Sequence, residues 1–174
     1  MALASFGNDK FLSSARRICH YDKVAKSIEI QAGYFNFENY NKKTFNENFT
    51  NTFGFPDVVD LKPEKLWNSN LCNVILSFQR AIEECVLELL DSILQKNEFI
   101  NENIQIACGG GVFHNSVLVG KLIKKYGVDI FVPPCPGDLG SSIGAVNFGL
   151  LSQGKEPLFE MSPFLGPVAD DLGS

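Results

Sequence analysis

The chain has 174 residues, 45% of them hydrophobic and 20% charged, enough apolar material for one ordinary domain that buries roughly 70% of its unfolded surface. Twenty acidic against fifteen basic residues leave a net charge of −5, which removes the broad basic face used for sequence-independent nucleic-acid binding. The composition excludes disordered, collagen-like and low-complexity classes; no apolar run reaches the roughly 18 residues of a membrane span, and MALASFGNDKF is not a secretory leader, so a cytoplasmic protein without membrane contact is expected.

Asn8 to Lys26 opens on an Asn-Asp cap signal and places Phe11, Leu12, Ala15 and Ile18 at helical spacing, which predicts a short amphipathic helix. Lys26-Ser-Ile-Glu-Ile-Gln then alternates polar and apolar residues, and Tyr34-Phe-Asn-Phe-Glu repeats the alternation after an Ala-Gly break. This predicts a hairpin. Phe45, Phe49 and Phe53 recur every fourth residue, and Gly54-Phe55-Pro56 stops the pattern, so a short helix is expected there. Between about Asn70 and Gln95, Leu71, Val74, Ile75, Phe78, Ile82, Val86, Leu89, Leu90 and Ile93 keep three-and-four spacing, the mark of one long amphipathic helix. Its other face carries Gln79, Arg80, Glu83, Glu84, Glu88 and Asp91.

Beyond that helix the pattern changes. Ile104 to Cys108 reads as a buried strand, Gly109-Gly-Gly111 as a tight loop, and Val112 to Tyr126 as a helix stopped by Gly127. Asp129 to Val132 is a second strand, Pro133-Pro-Cys-Pro-Gly137 a rigid turn, and Leu139 to Leu151 another helix. Strand, helix, strand, helix predicts a parallel α/β sheet whose ligand side lies at the strand carboxyl ends. Two such strands are few for an open sheet, so either the hairpin joins them or the chain is part of something larger.

The five cysteines are widely spaced with no CxxC pair, and reduced, mostly buried thiols are expected. His20 and His114 are the only histidines. Neither stands in an HxxxH or HExxH spacing: His20 is read as a surface or half-buried residue, and His114 as positional or packing. No GxSxG elbow supports a serine hydrolase.

Two loops carry the candidate chemistry. In Cys108-Gly-Gly-Gly-Val-Phe-His-Asn115, glycines between a strand and a helix let backbone approach a ligand, and free N–H groups at the helix start attract an anion. Phosphate binding by Gly109, Gly110 and Gly111 stands beside tight helix–strand packing as the two readings. In Pro133-Pro-Cys-Pro-Gly-Asp138-Leu-Gly140, the carboxylate of Asp138 either caps the next helix or holds a cation beside phosphates. Gln79 and Glu83, one helical turn apart, either reach an adenosine or belong to a solvated face.

The ordered pieces Met1-Ala-Leu-Ala-Ser-Phe-Gly7, Ser77-Phe-Gln79-Arg-Ala-Ile-Glu83-Glu84, Gly110-Gly-Val-Phe-His-Asn115, Val132-Pro-Pro-Cys-Pro-Gly-Asp138-Leu-Gly-Ser-Ser-Ile-Gly144-Ala and Leu165-Gly-Pro167 resemble the O-carbamoyltransferase family. These are the nodulation and antibiotic-tailoring enzymes of the actin-like (ribonuclease H-like) ATPase superfamily. The resemblance implies an α/β fold: a partial ATPase half with parallel strands, flanking helices and a small inserted hairpin and helix region. It reads residues 1–174 as one partial domain, the later half of the transferase domain, with an inserted subdomain at 19–68, an α/β core at 69–152 and an extension at 153–174. It implies that carbamoyl phosphate and ATP form a carbamoyl-adenylate whose carbamoyl group passes to a substrate hydroxyl. By position, Gly110 and Gly111 would face the nucleotide phosphate, Asn115 would help position the nucleotide, and Asp138 would coordinate an iron-type divalent metal. Histidines completing the metal site would come from the missing half, which is then the chain's chief partner. Phe6 replaces a family tyrosine, Gly109 precedes the usual glycine pair, and His114 stands where the family commonly has an aliphatic residue.

Two rivals remain at this point. A transferase resembling the tRNA threonylcarbamoyl-adenosine enzymes shares the glycine loop and metal aspartate, although the acidic balance argues against tRNA binding. A non-catalytic module would use the long helix as a partner surface and tend to self-associate.

Overall fold

A computed structural model describes residues 2–37, 44–54, 69–96 and 105–158. The chain divides into two compact units, residues 1–101 and 102–174.

In the first unit a 3₁₀ turn, Ala2–Phe6, leads through Gly7 to Asn8, whose Oδ1 accepts from the Lys10 amide at 3.0 Å and caps a second 3₁₀ turn, Asp9–Phe11. Helix α1, Leu12–Ile18, follows directly. It is shorter than the expected 8–26 because Cys19–Asp22 become strand β1, paired antiparallel with β2, Ser27–Ile30, in the register Cys19↔Ile30 and Asp22↔Ser27. The hairpin is therefore real but displaced. The alternation of 27–30 is a strand, its partner precedes it, and Ala32–Tyr34 forms a 3₁₀ turn instead of a hairpin tip. The turn closes on a side chain: Asp22 Oδ1 accepts from the amides of Val24 and Ala25 at 2.7 and 2.8 Å, and Lys26 adopts φ 57°. Those backbone donors hold the Asp22 carboxyl below the usual carboxylate range.

Helix α2, Glu47–Phe53, ends at the expected stop and starts at a cap. Asn46 Oδ1 accepts from the amides of Asn48 and Phe49, and Gly54 takes the left-handed φ of 67° that a side chain resists. Phe49 and Phe53 project into the core with Ile18 and Val74, and Phe11, Tyr34, Phe35 and Phe78 pack around them. Phe55, Pro56 and the 165–167 segment lie outside the described residues.

Helix α3, Ser69–Lys96, has 28 residues, about 42 Å at 1.5 Å per residue. It packs against α1, β1 and both N-terminal 3₁₀ turns. Its buried row differs from the expected one. Asn73, Ser77, Ala81 and Cys85, spaced by four, are deeply buried, whereas Ile75, Phe78, Ile82 and Val86 are only partly covered. Backbone comes close at the head of this row, where glycine is needed at position 7: a Cβ on Gly7 would lie 2.2 Å from the Cys72 carbonyl oxygen. The Asn8 amide also donates to Asn73 Oδ1 at 2.7 Å, so a polar pair sits in the contact without loss. Around the rim, Arg16 forms a bidentate pair with Glu84 at 2.7 Å, and Arg80 pairs with Asp9.

All five cysteines are free, and four are buried. Cys19 and Cys85 bring β1 to α3 with their sulfurs 3.9 Å apart, and burial first, then its neighbour, pushes the Cys85 thiol up to about 12. These thiols pack as small apolar side chains, as expected for unpaired buried cysteine.

In the second unit, β3, Gln105–Ala107, pairs parallel with β4, Asp129–Phe131, through helix α4, Ser116–Tyr126. This is the expected parallel α/β unit. The hairpin does not join it, because β1 and β2 form a sheet of their own. β3 is also less buried than its apolar sequence predicts: Gln105 and Ala107 are exposed and only Ile106 is partly covered, since α4 shields the sheet while no further strand flanks it among the described residues. A 3₁₀ turn, Asp138–Gly140, leads into α5, Ser141–Ser152, which buries no residue and leaves Phe148 75% exposed. Among the described residues no helix is long and apolar enough to cross a membrane.

Candidate functional site

The loops after β3 and β4 open on one edge because the strands are parallel and in register, Gln105 opposite Asp129. The pairing continues past the strands: the Cys108 amide donates to the Phe131 carbonyl at 2.8 Å, and the Gly110 amide to the Pro136 carbonyl at 2.6 Å. The glycine loop and the proline turn are therefore bonded to each other. Gly110 has φ 100°, a conformation glycine adopts without the steric penalty of a side chain, and this aims its amide across the gap. Gly137 completes the approach, since a Cβ there would lie 3.8 Å from Gly111 Cα and 3.0 Å from His114 Nε2.

This geometry divides the three glycines by role. The Gly110 amide is occupied within the protein, whereas the Gly109 and Gly111 amides have no partner among the described residues, and all three positions are exposed. Gly111–His114 form a 3₁₀ turn ahead of α4. Asn115 is the cap of α4, its Oδ1 accepting from the amides of Val117 and Leu118 at 3.1 and 3.2 Å, and it is 9% exposed. Asn115→Ala is expected to lower stability by about 1 kcal/mol, read as a shift of the urea midpoint.

Asp138 lies at the start of its 3₁₀ turn, exposed, and its carboxylate neither caps that turn nor bonds another described residue. Of the two readings, capping is the one the geometry lacks. Among the described residues no three His, Cys, Asp or Glu side chains cluster to hold a metal, so the Asp138 carboxylate stands without such a group of side chains beside it to complete a coordination sphere. Beside the turn runs a cleft of about 380 Å³ lined by Phe131, Pro133, Cys135, Gly137, Gly140 and Ser141 among others.

Gln79 and Glu83 belong to the first unit. Gln79 Nε2 donates to Glu83 Oε1 at 2.9 Å, and Glu83 is 1% exposed, so the solvated-face reading is overturned for that residue. The helical period misses this burial because α3 is covered by several elements at once. His20 is half-buried on β1, as read, with Nδ1 unpartnered among the described residues. Sequence reasoning missed its setting, a second cleft of about 380 Å³ shared with Arg16, Cys19, Glu84, Cys85 and Glu88. Only the pairing of β1 with α3 assembles it, and no local spacing signals that.

Comparison with curated proteins and with solved structures finds no match. A protein-family model described as carbamoyltransferase N-terminus matches residues 1–147, a span that takes in the N-terminal turns, α3, the glycine loop and Asp138. With the match covering most of its 174 residues, the chain belongs to the carbamoyltransferase family and is a transferase.

Proposed function

We propose that the chain is part of an ATP-dependent O-carbamoyltransferase, the later portion of an actin-like ATPase domain whose remaining portion completes the site. In this reading carbamoyl phosphate and ATP yield a carbamoyl-adenylate, and the carbamoyl group passes to a substrate hydroxyl. The observation that carries it is the bond between the two loops, Gly110 to Pro136, beside which two amides and one carboxylate, unpartnered among the described residues, lie on a single sheet edge. Adenylate formation concentrates negative charge on phosphate oxygens, and amides fixed in advance stabilise that charge without having to reorient.

Within this reading Gly109 and Gly111 donate to phosphate oxygens, while Gly110 sets the loop's shape. Asp138 supplies one ligand to an iron-type divalent ion, with histidines of the remaining portion supplying others. Asn115 acts through the orientation of α4 and its preceding turn. The exposed apolar side chains of α5, Val146, Phe148 and Leu151, are consistent with a surface that the rest of the enzyme covers.

The test is metal titration of the complete enzyme. Asp138→Asn is expected to weaken Mn²⁺ binding by about tenfold or more, because it replaces a charged oxygen ligand with a neutral one. Unchanged Mn²⁺ affinity in a folded Asp138→Asn enzyme removes this carboxylate from the metal site.

A further inference from the structure

Two thiols of the first unit stand apart from everything the proposed reaction uses. Cys19, buried on β1, and Cys85, buried on α3, are both free and hold their sulfurs 3.9 Å apart. Contacts on either side keep them there. Arg16 grips Glu84 through two bonds of 2.7 Å just before the pair, and the Tyr21 hydroxyl donates to Ser92 Oγ at 2.7 Å beyond it. The chain from Arg16 to Tyr21 is thus fixed along α3 from Glu84 to Ser92, so the fold itself sets the sulfur separation.

A disulfide bond is about 2.0 Å long, so each sulfur has to travel only about 1 Å to make one. Both cysteines also line the cleft of about 380 Å³ beside β1, with the solvent-facing Arg16 and Glu84 among its other walls. That cleft is the route by which a small solute reaches them. Burial raises both thiols above the ordinary cysteine range, but their mutual contact lowers Cys19 and raises Cys85, and Glu88 and Glu84 raise Cys85 further. Cys19 is therefore the thiol that attacks first, and its small thiolate fraction makes that attack slow.

We propose that Cys19 and Cys85 form a redox modification site: hydrogen peroxide converts them to a disulfide that staples β1 to α3, and a dithiol reductant releases it. In the first step the Cys19 sulfur bonds to one peroxide oxygen, the O–O bond breaks, and the other oxygen leaves as water, giving a sulfenic acid. In the second the Cys85 sulfur bonds to the Cys19 sulfur, the S–O bond breaks, and the departing hydroxide takes the Cys85 proton as a second water. The two sulfurs lose two electrons and the peroxide gains them. Proximity makes the second step intramolecular, so the sulfenic acid ends in a disulfide ahead of further oxidation. The bond joins residues 66 apart in sequence, and tying the unfolded chain over that span stabilises the folded one. None of this depends on the carbamoyl-transfer reaction.

The experiment treats the reduced protein with hydrogen peroxide, alkylates the remaining thiols in denaturant, and maps the peptides by mass. A peptide pair containing Cys19 and Cys85, two hydrogens lighter than its parts and separated by dithiothreitol, is the expected product. Urea unfolding of the oxidised protein is expected to show a midpoint about 1 M higher than that of the reduced one, a rise that dithiothreitol abolishes. Cys19→Ala and Cys85→Ala are each expected to give neither the linked pair nor the rise, whereas Cys135→Ala keeps both. Cys135, the partly exposed thiol, reports whether the oxidant was sufficient. Full alkylation of Cys19 and Cys85 in wild-type protein whose Cys135 has been consumed overturns the proposal, and this outcome needs no variant to fold. Linkage of either residue to a different cysteine overturns it too, and a Cys19–Cys85 link with no rise in midpoint overturns the staple.

Discussion

Gly140→Ala is expected to cut carbamoyl transfer by the complete enzyme about a hundredfold, the cost of displacing a site by roughly an ångström. Gly140 has ordinary helical angles, φ −72° and ψ −13°, so glycine is not required there for its torsional freedom. Space is the reason. A Cβ would lie 2.2 Å from the Cys135 carbonyl oxygen and 3.3 Å from its carbon. A backbone carbonyl cannot rotate away as a side chain can, so the 3₁₀ turn that carries Asp138 must move as a body.

Gly137→Ala provides the control. Its Cβ meets the His114 ring at 3.0 Å, the far end of an exposed side chain that yields by a few tenths of an ångström. A modest loss at 137 beside a large one at 140 separates displacement of Asp138 from general crowding of the loops. Equal losses, or full activity in Gly140→Ala, would show that the turn tolerates the shift and that Asp138 is not held in a fixed place.

Features fixed by local spacing were the legible ones. Helix α3 follows from its three-and-four period to within a residue at each end, and α2 from the spacing of Phe49 and Phe53 and the stop at Gly54, although Phe45, which shares that spacing, lies before the helix. The strand–loop–helix order around Gly109–Gly111 and Asp138 was equally plain, because glycine and proline punctuate it. The hairpin was misplaced for a definite reason. Its turn is made by the Asp22 carboxylate and by Lys26 at φ 57°, where a left-handed residue is ordinarily glycine or asparagine, while the Ala32-Gly33 break imitates a tip without being one. Burial on α3 was obscured for another reason. The helix wheel ranks Asn73, Ser77 and Glu83 as polar and therefore outward, but all three are buried, and Asn73 is met there by the Asn8 amide, sixty-five residues away in sequence, beside the close backbone approach at Gly7. The Gly110–Pro136 bond is of this long-range kind as well. Spacing placed the two loops on one sheet edge, yet which glycine amide is consumed and which stay open depends on backbone angles that no residue pattern reports.

The largest effect on stability is expected at Phe53. This ring is 1% exposed, and its centroid lies 4.6 Å from Phe49 and 5.5 Å from both Phe11 and Phe78, so it joins α2 to the start of α1 and to α3. Phe53→Ala removes the transfer energy of a whole ring and leaves a cavity walled by other rings, whose stiffness limits collapse; the expected cost is about 3–5 kcal/mol. That is a large share of the roughly 5–15 kcal/mol by which a domain is usually stable. Phe45 offers the comparison. It stacks on Phe49 at 4.2 Å but is 36% exposed, so Phe45→Ala loses part of the ring's burial and an aromatic pair worth about 0.5–1.5 kcal/mol, and leaves water rather than a void in its place. Urea unfolding of both variants checks the order: the midpoint falls much further for Phe53→Ala, with the denaturant slope unchanged if the packing of the rest is retained. Comparable midpoints would mean that α2 detaches from α1 and α3 before the core melts, so that Phe53 contributes to a local opening and not to global stability.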